Sequence, residues 1–247
     1  MTRRALVTGG GSGIGLGIAS AIARQGIRPV LVGRRLDALE KAREVISRAG
    51  GQADIMNWDI GQGDDVDEMF AKVESDFGPV HSLVHAAGNQ FRAPAAEFPV
   101  DQWDSIIGIH LRAAFTLSQS LGRRLIARGE AGSILFIGSL TSERFGNPNT
   151  IAYAAAKSGL LGIMRSLAVE WGPHRIRTNT VLVGFVATEM TKDVDAQPAR
   201  LALTSRAPLG RLGTPDEIGD AAAFLLSDAA LFINGATITV DGGWSVA

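Results

Sequence analysis

Short runs of apolar and β-branched residues alternate along the chain with longer stretches in which apolar positions recur every three or four residues. The runs cover residues 5–8, 30–32, 55–58, 82–85, 134–137, 180–183 and 237–240. Their nearly unbroken apolar character predicts strands buried on both faces, and the helical stretches between them predict parallel crossovers. The expected fold is α/β, a single domain over residues 1–247 with a doubly wound, seven-stranded parallel sheet and helices on both faces. Some helix starts are marked chemically. Thr214-Pro-Asp-Glu217 combines a capping hydroxyl, proline at the first helical position and glutamate three residues after the cap. Asp65 and Asp101 open weaker versions of that signal, and Asp37 reads as a helix cap before Leu39.

Composition narrows the function classes. The 247 residues are 46% hydrophobic, enough for a full core, and 24 basic against 25 acidic side chains leave a formal charge of −1. With no basic tail or charged run, nucleic acid is not an expected partner. There is no cysteine, and His81, His85, His110 and His174 lack ligand spacing, so no metal site is expected. The first residues lead straight into a strand pattern, and no run of about 20 apolar residues occurs. The expectation is a cytoplasmic protein without a membrane partner.

Two local patterns carry chemistry. After the first run comes Thr8-Gly-Gly-Gly-Ser-Gly-Ile-Gly15, leading into Ile18 and Ile22 at helical spacing. Strand, glycine turn and helix in that order present open backbone N–H groups and a positive helix end to a pyrophosphate, although an unliganded glycine-rich surface loop has the same composition. The strict G-x-G-x-x-G spacing is absent. The second pattern is Tyr153, the only tyrosine, four residues before Lys157 in an alanine-rich stretch. That spacing puts phenol and ammonium on one helical face. A free phenol titrates near ~10, so bringing it into service at neutral pH takes about 4 kcal/mol. A nearby cation supplies part of this, and an oxidised nicotinamide would add a second charge. A core tyrosine beside a snorkelling lysine would look similar.

The turn carried by Thr8, Gly9, Gly13 and Gly15, the Tyr153/Lys157 pair and Ser139 upstream together resemble the short-chain dehydrogenase/reductase family in its compact single-domain branch. Further landmarks are Asp59-Ile60, His85-Ala-Ala-Gly88, Val183-Gly184, Thr188 and Val240-Asp-Gly-Gly243. The resemblance implies a Rossmann-type sheet and hydride transfer between a nicotinamide and a carbonyl or secondary alcohol. Ser139 would orient the substrate oxygen, Tyr153 transfer the proton, and Lys157 hold the cofactor ribose while lowering the tyrosine's pKa. Cofactor contacts would come from Thr8, Gly9, Ser12, Gly13, Ile14, Gly15, Asp59, Ile60, Ala87, Gly88, Tyr153, Lys157, Gly184, Val186 and Thr188. At the end of the second strand, where an acid would favour NAD, the chain reads Gly33-Arg34-Arg35. Two guanidiniums suit a 2′-phosphate, so NADP(H) is expected.

Three positions depart from the family pattern. His110 replaces a catalytic asparagine, either keeping a water link to Lys157 or simply filling a helix position. Ala86 replaces an asparagine between strands, and Val183 replaces a proline before Gly184. The segment 88–103 looks like the corresponding loop of gluconate 5-dehydrogenases, and Arg92 within it either receives a substrate carboxylate or is a solvated loop residue. A sugar acid or other small carboxylate-bearing substrate is the first expectation. A 3-oxoacyl-carrier-protein reductase, with Arg123, Arg124 and Arg128 as a basic contact, is the second, and an NADP-binding regulatory or scaffold subunit the third. Residues 188–209 read as a substrate lid. The resemblance also implies a homotetramer.

Overall fold

In the computed structural model, which describes residues 3–61, 65–143, 146–189, 191 and 204–247, all seven runs become strands. They are β1 (Arg4–Thr8), β2 (Arg28–Gly33), β3 (Asp54–Asn57), β4 (Ser82–His85), β5 (Gly132–Ser139), β6 (Ile176–Val183) and β7 (Thr237–Val240). Every ladder is parallel, in the order β3-β2-β1-β4-β5-β6-β7. The order reverses between β1 and β4, which opens a crevice at the carboxyl ends of the strands.

Alternation along the strands divides the core into two layers. Leu6, Val30, Leu83, Ile134 and Phe136 face α3 (Val66–Phe77), α5 (Ala113–Arg128) and α6 (Ile151–Trp171), meeting Phe70, Leu117 and Met164. Val7, Leu31, Val84, Leu135 and Val181 face the other way. They pack on α1 (Gly13–Arg24), α2 (Leu36–Arg48) and α7 (Pro215–Leu226) through Ile18, Leu39, Ile46 and Ile218. Between β4 and α5 runs α4 (Val100–Ile107), joined to α5 without a break by the π-helical turn Gly108–Arg112.

The expected caps fare unequally. Thr214 accepts from the Glu217 N–H and Glu217 reaches back to the Thr214 N–H, the full capping box. Asp65 holds the cap position of α3 without a side-chain bond. Asp101 lies one residue inside α4, because Pro99, which has no N–H to satisfy, takes the cap position. Asp37 is likewise inside α2, whose cap is Arg35, and there it complements the helix dipole rather than capping. Of the expected lid, residues 190 and 192–203 lie outside the described residues. Among the described residues, no helix is long and apolar enough to cross a membrane.

Candidate active site

A cleft of about 480 Å³ opens at the switch point. It is lined by Gly9, Ser12, Gly13, Ile14, Gly15, Arg34, Arg35, Asp59, Ile60, Ala87, Gly88, Arg92, His110, Ser139, Tyr153, Lys157, Gly184, Val186 and Thr188. Sequence reasoning singled out every one of these. Thr8, the remaining expected residue, is fully buried beneath the turn, where its hydroxyl oxygen accepts from the N–H groups of Ala86 and Ala87, each at 3.2 Å. It shapes the site from behind instead of lining it.

One end of the cleft is built for a dinucleotide phosphate. α1 begins at Gly13 behind an extended Ser12 that makes no side-chain cap, so the first-turn N–H groups face the cleft without an internal acceptor. A Cβ on Gly15 would press into the Gly9 carbonyl, so only glycine lets turn and helix close this tightly. At the end of β2, Asn57 donates to the carbonyls of Gly33 and Arg34 and pins the turn. Arg34 and Arg35 both line the cleft there, with Arg34 3.8 Å from the Asp59 carboxylate. The carboxylate that would hold a free 2′-hydroxyl is not among the β2-end residues, and two guanidiniums stand in its place.

The other end holds the reacting group. Ser139 closes β5 and its Oγ accepts from the Thr141 N–H, while Tyr153 and Lys157 project from the first turns of α6. Lys157 Nζ donates to the Ile137 carbonyl at 2.6 Å and lies 5.5 Å from the centre of the Tyr153 ring. Burial draws the lysine's pKa down to about 7. For Tyr153, burial pushes the phenol above its ordinary value, and the hydrogen bond with Ser139 works in the opposite direction. The expectation gave Lys157 part of the lowering and an oxidised nicotinamide the rest; the protein alone holds the phenol above its ordinary value. Desolvation of the phenolate outweighs the hydrogen bond from Ser139.

His110 sits in the π-turn, 1% exposed, edge-on to Tyr153 with ring centres 5.2 Å apart. Its Nε2 lies 2.7 Å from the Asn89 carbonyl oxygen, and its buried Nδ1 has no partner among the described residues. Burial first, and the Lys157 charge second, hold it neutral, well below the usual histidine range. Gly88 exists for this ring, since a Cβ there would collide with the imidazole.

Sequence reasoning passed over Gln90, Asn147 and Phe185, which also line the cleft. Asn147 and Asn149 flank a proline, a turn signal, and the Asn149 carbonyl accepts from the Ala93 N–H at 3.1 Å, bringing this turn against the Arg92 loop.

A family profile described as enoyl-(acyl carrier protein) reductase matches residues 9–245. The chain is 37% identical to the gluconate 5-dehydrogenase of Gluconobacter oxydans (strain 621H) over 98% of its own length and 94% of that protein. It is 36% identical to the D-threitol dehydrogenase of Mycolicibacterium smegmatis, over 98% of this chain and 92% of that one. Among solved structures, a gluconate 5-dehydrogenase from Burkholderia cenocepacia J2315 in complex with NADP and tartrate superposes with a TM-score of 0.93 at 34% identity, covering 99% of this chain and 96% of that one.

Proposed function

The chain belongs to the short-chain dehydrogenase/reductase family of oxidoreductases, and from that premise we propose that, as a single domain, it interconverts a ketone and a secondary alcohol on a small carboxylate-bearing polyol with NADP(H). The carrying observation is that Ser139, Tyr153 and Lys157 share one cleft with the glycine turn, Arg34 and Arg35. The first-turn N–H groups of α1 would hold the pyrophosphate, Arg34 and Arg35 the 2′-phosphate, and Lys157 the ribose near the nicotinamide. The dinucleotide supplies the hydride and, when oxidised, a positive charge that would draw the phenol down from the raised value burial gives it. In reduction, Ser139 Oγ donates a hydrogen bond to the substrate carbonyl and Tyr153 Oη gives it a proton; in oxidation both transfers reverse.

The substrate reading rests on the far wall. Arg92 offers a cation to the cleft, which the neutral hydrogen-bonding side chains Gln90, Asn147 and Thr141 also line. That set matches one carboxylate and several hydroxyls better than an acyl chain. The relative with NADP was crystallised with tartrate, a small hydroxy acid. The carrier-protein alternative has less support. Arg123 and Arg124 pair with Asp67, Arg124 and Arg128 with Glu74, and Arg128 with Glu130, so the basic contact it needs is already neutralised. The scaffold alternative, raised by the departures at His110, Ala86 and Val183, has less support, because Ser139, Tyr153 and Lys157 all line the cleft.

A substrate panel followed by NADPH absorbance tests this: sugar acids and their keto forms against uncharged polyols such as threitol. Carboxylate-bearing compounds should give the higher kcat/KM, and Arg92→Ala should raise their KM while leaving that of uncharged polyols unchanged. Equal preference in the parent would retire the carboxylate. Tyr153→Phe should abolish turnover with NADPH binding retained.

We further read the protein as a homotetramer. Phe115 and Ile126 on α5 and Ile151 on α6 are large exposed apolar side chains that would supply one patch; Val169, Leu231 and Phe232, also exposed, would supply a second near edge strand β7.

A further inference from the structure

Two histidines, His85 and His110, lie at the sheet's switch point, both almost wholly buried, and the chemical step as assigned above gives His85 no part. Thr8 and His85 are register partners on β1 and β4. The Thr8 hydroxyl already accepts two backbone N–H bonds, from Ala86 and Ala87, which occupies both lone pairs. Its proton is left for His85 Nδ1, 3.0 Å away. Nδ1 is therefore the acceptor, and the ring proton sits on Nε2, which donates to the Ile109 carbonyl at 3.1 Å. The bonding network thus fixes the tautomer. Burial first, and the Lys157 charge second, hold the ring's pKa at about 3, so it stays neutral under working conditions.

The acceptor at Ile109 belongs to the π-turn, where the α-helical ladder is interrupted. His110 is the next residue. Its ring bonds the Asn89 backbone, fills the space over Gly88 and meets the Tyr153 edge. A continuous path therefore runs from the glycine turn through Thr8, His85 and the π-turn to His110 and the reacting tyrosine.

We propose that His85 is a positioning residue for the reaction, a strut of fixed tautomer that holds the π-turn in register with the glycine turn and, through His110, sets the Gly88–Asn89 backbone and the Tyr153 ring. This rests on assigning the chemical step to Ser139, Tyr153 and Lys157.

Two variants separate the strut's ends. In His85→Asn the shorter amide reaches Thr8 but not Ile109; in His85→Gln the longer amide reaches Ile109. His85→Asn should lower kcat by about 100-fold, the scale of a misplaced reacting group, with KM for NADPH nearly unchanged. His85→Gln should recover most of that loss, and the pH profile of both should match the parent. A kcat for His85→Asn equal to the parent's, or no recovery in His85→Gln, would overturn the proposal. Should either variant fail to fold, nitrogen-15 spectra of the parent decide. A pH-independent Nε2–H signal for His85 supports the strut, and an Nδ1–H signal overturns it. Tyr153→Phe, assayed alongside, isolates the premise, because turnover retained there overturns the assignment of the chemical step itself.

Discussion

Lys157 is 4% exposed and holds its ammonium against a backbone carbonyl, and burial lowers its pKa from 10.5 to about 7. Between those two values the unfolded chain binds more protons than the folded one, so this residue makes stability rise with pH across that window. At pH 7 and below nearly the whole cost of the buried cation is present, roughly 4 kcal/mol; above 10.5 it is gone. Lys157→Met, similar in length but unable to titrate, should therefore resist urea better than the parent at pH 7, by a margin that shrinks toward pH 10. Urea unfolding at the two pH values measures it, and a constant margin would refute the burial argument. The same residues show how far sequence reaches at this scale. Spacing alone put Tyr153 and Lys157 on one helical face, because the helical period is written in the chain; Ser139 came from its place at a strand end and from the family resemblance. The direction of the phenol's shift was not legible, since spacing names neighbours but is silent on desolvation. Thr8 was legible as a member of the turn but not as a buried one.

At the level of elements, signals that act within a few residues were readable and those that act across the fold were not. The Thr214 capping box is local, and it forms as read. Thr214→Ala should cost about 1 kcal/mol, seen as a lower melting temperature with kcat unchanged. An unaltered melting temperature would mean that Pro215 and the Arg211 pairing with Glu217 already hold the helix start. The caps assigned to Asp101 and Asp37 failed because each helix begins one residue earlier than the polar residue that marked it. The π-turn at 108–112 left no sequence signal, because its partners are distant: His85 on β4 for one carbonyl, and Asn89 for the His110 ring. In the sequence His85 is a histidine without ligand spacing at the start of a strand-end landmark, and its contacts become visible when β1 and β4 are side by side.

For the whole molecule, the seven-stranded parallel sheet with helices on both faces followed from the alternation of runs and crossovers, but the outer surface did not. Periodicity shows that α6 is apolar on more than one face without saying which residues stay uncovered. In the fold, Phe232 is completely exposed and Val169 is 81% exposed, both at the β7 end of the sheet. Asn234 ties the two segments together by donating to the Ala168 carbonyl. An edge strand flanked by large exposed apolar side chains is a surface that invites a partner. The second apolar group, on α5 and the start of α6, contributes different residues. Closed symmetry gives the two groups different consequences: one self-complementary patch makes a dimer, and two independent patches make a tetramer, a dimer of dimers. A charge in one patch should then halve the assembly without dissolving it. Phe232→Asp is expected to run as a dimer by light scattering while the parent runs as a tetramer, and Ile126→Asp should give a dimer of the other pairing. Because no residue of the reacting group lies in either patch, both dimers should retain turnover at the assembled concentration. A parent that is already monomeric, or a Phe232→Asp variant that remains tetrameric, would show that these side chains face solvent for some reason other than assembly.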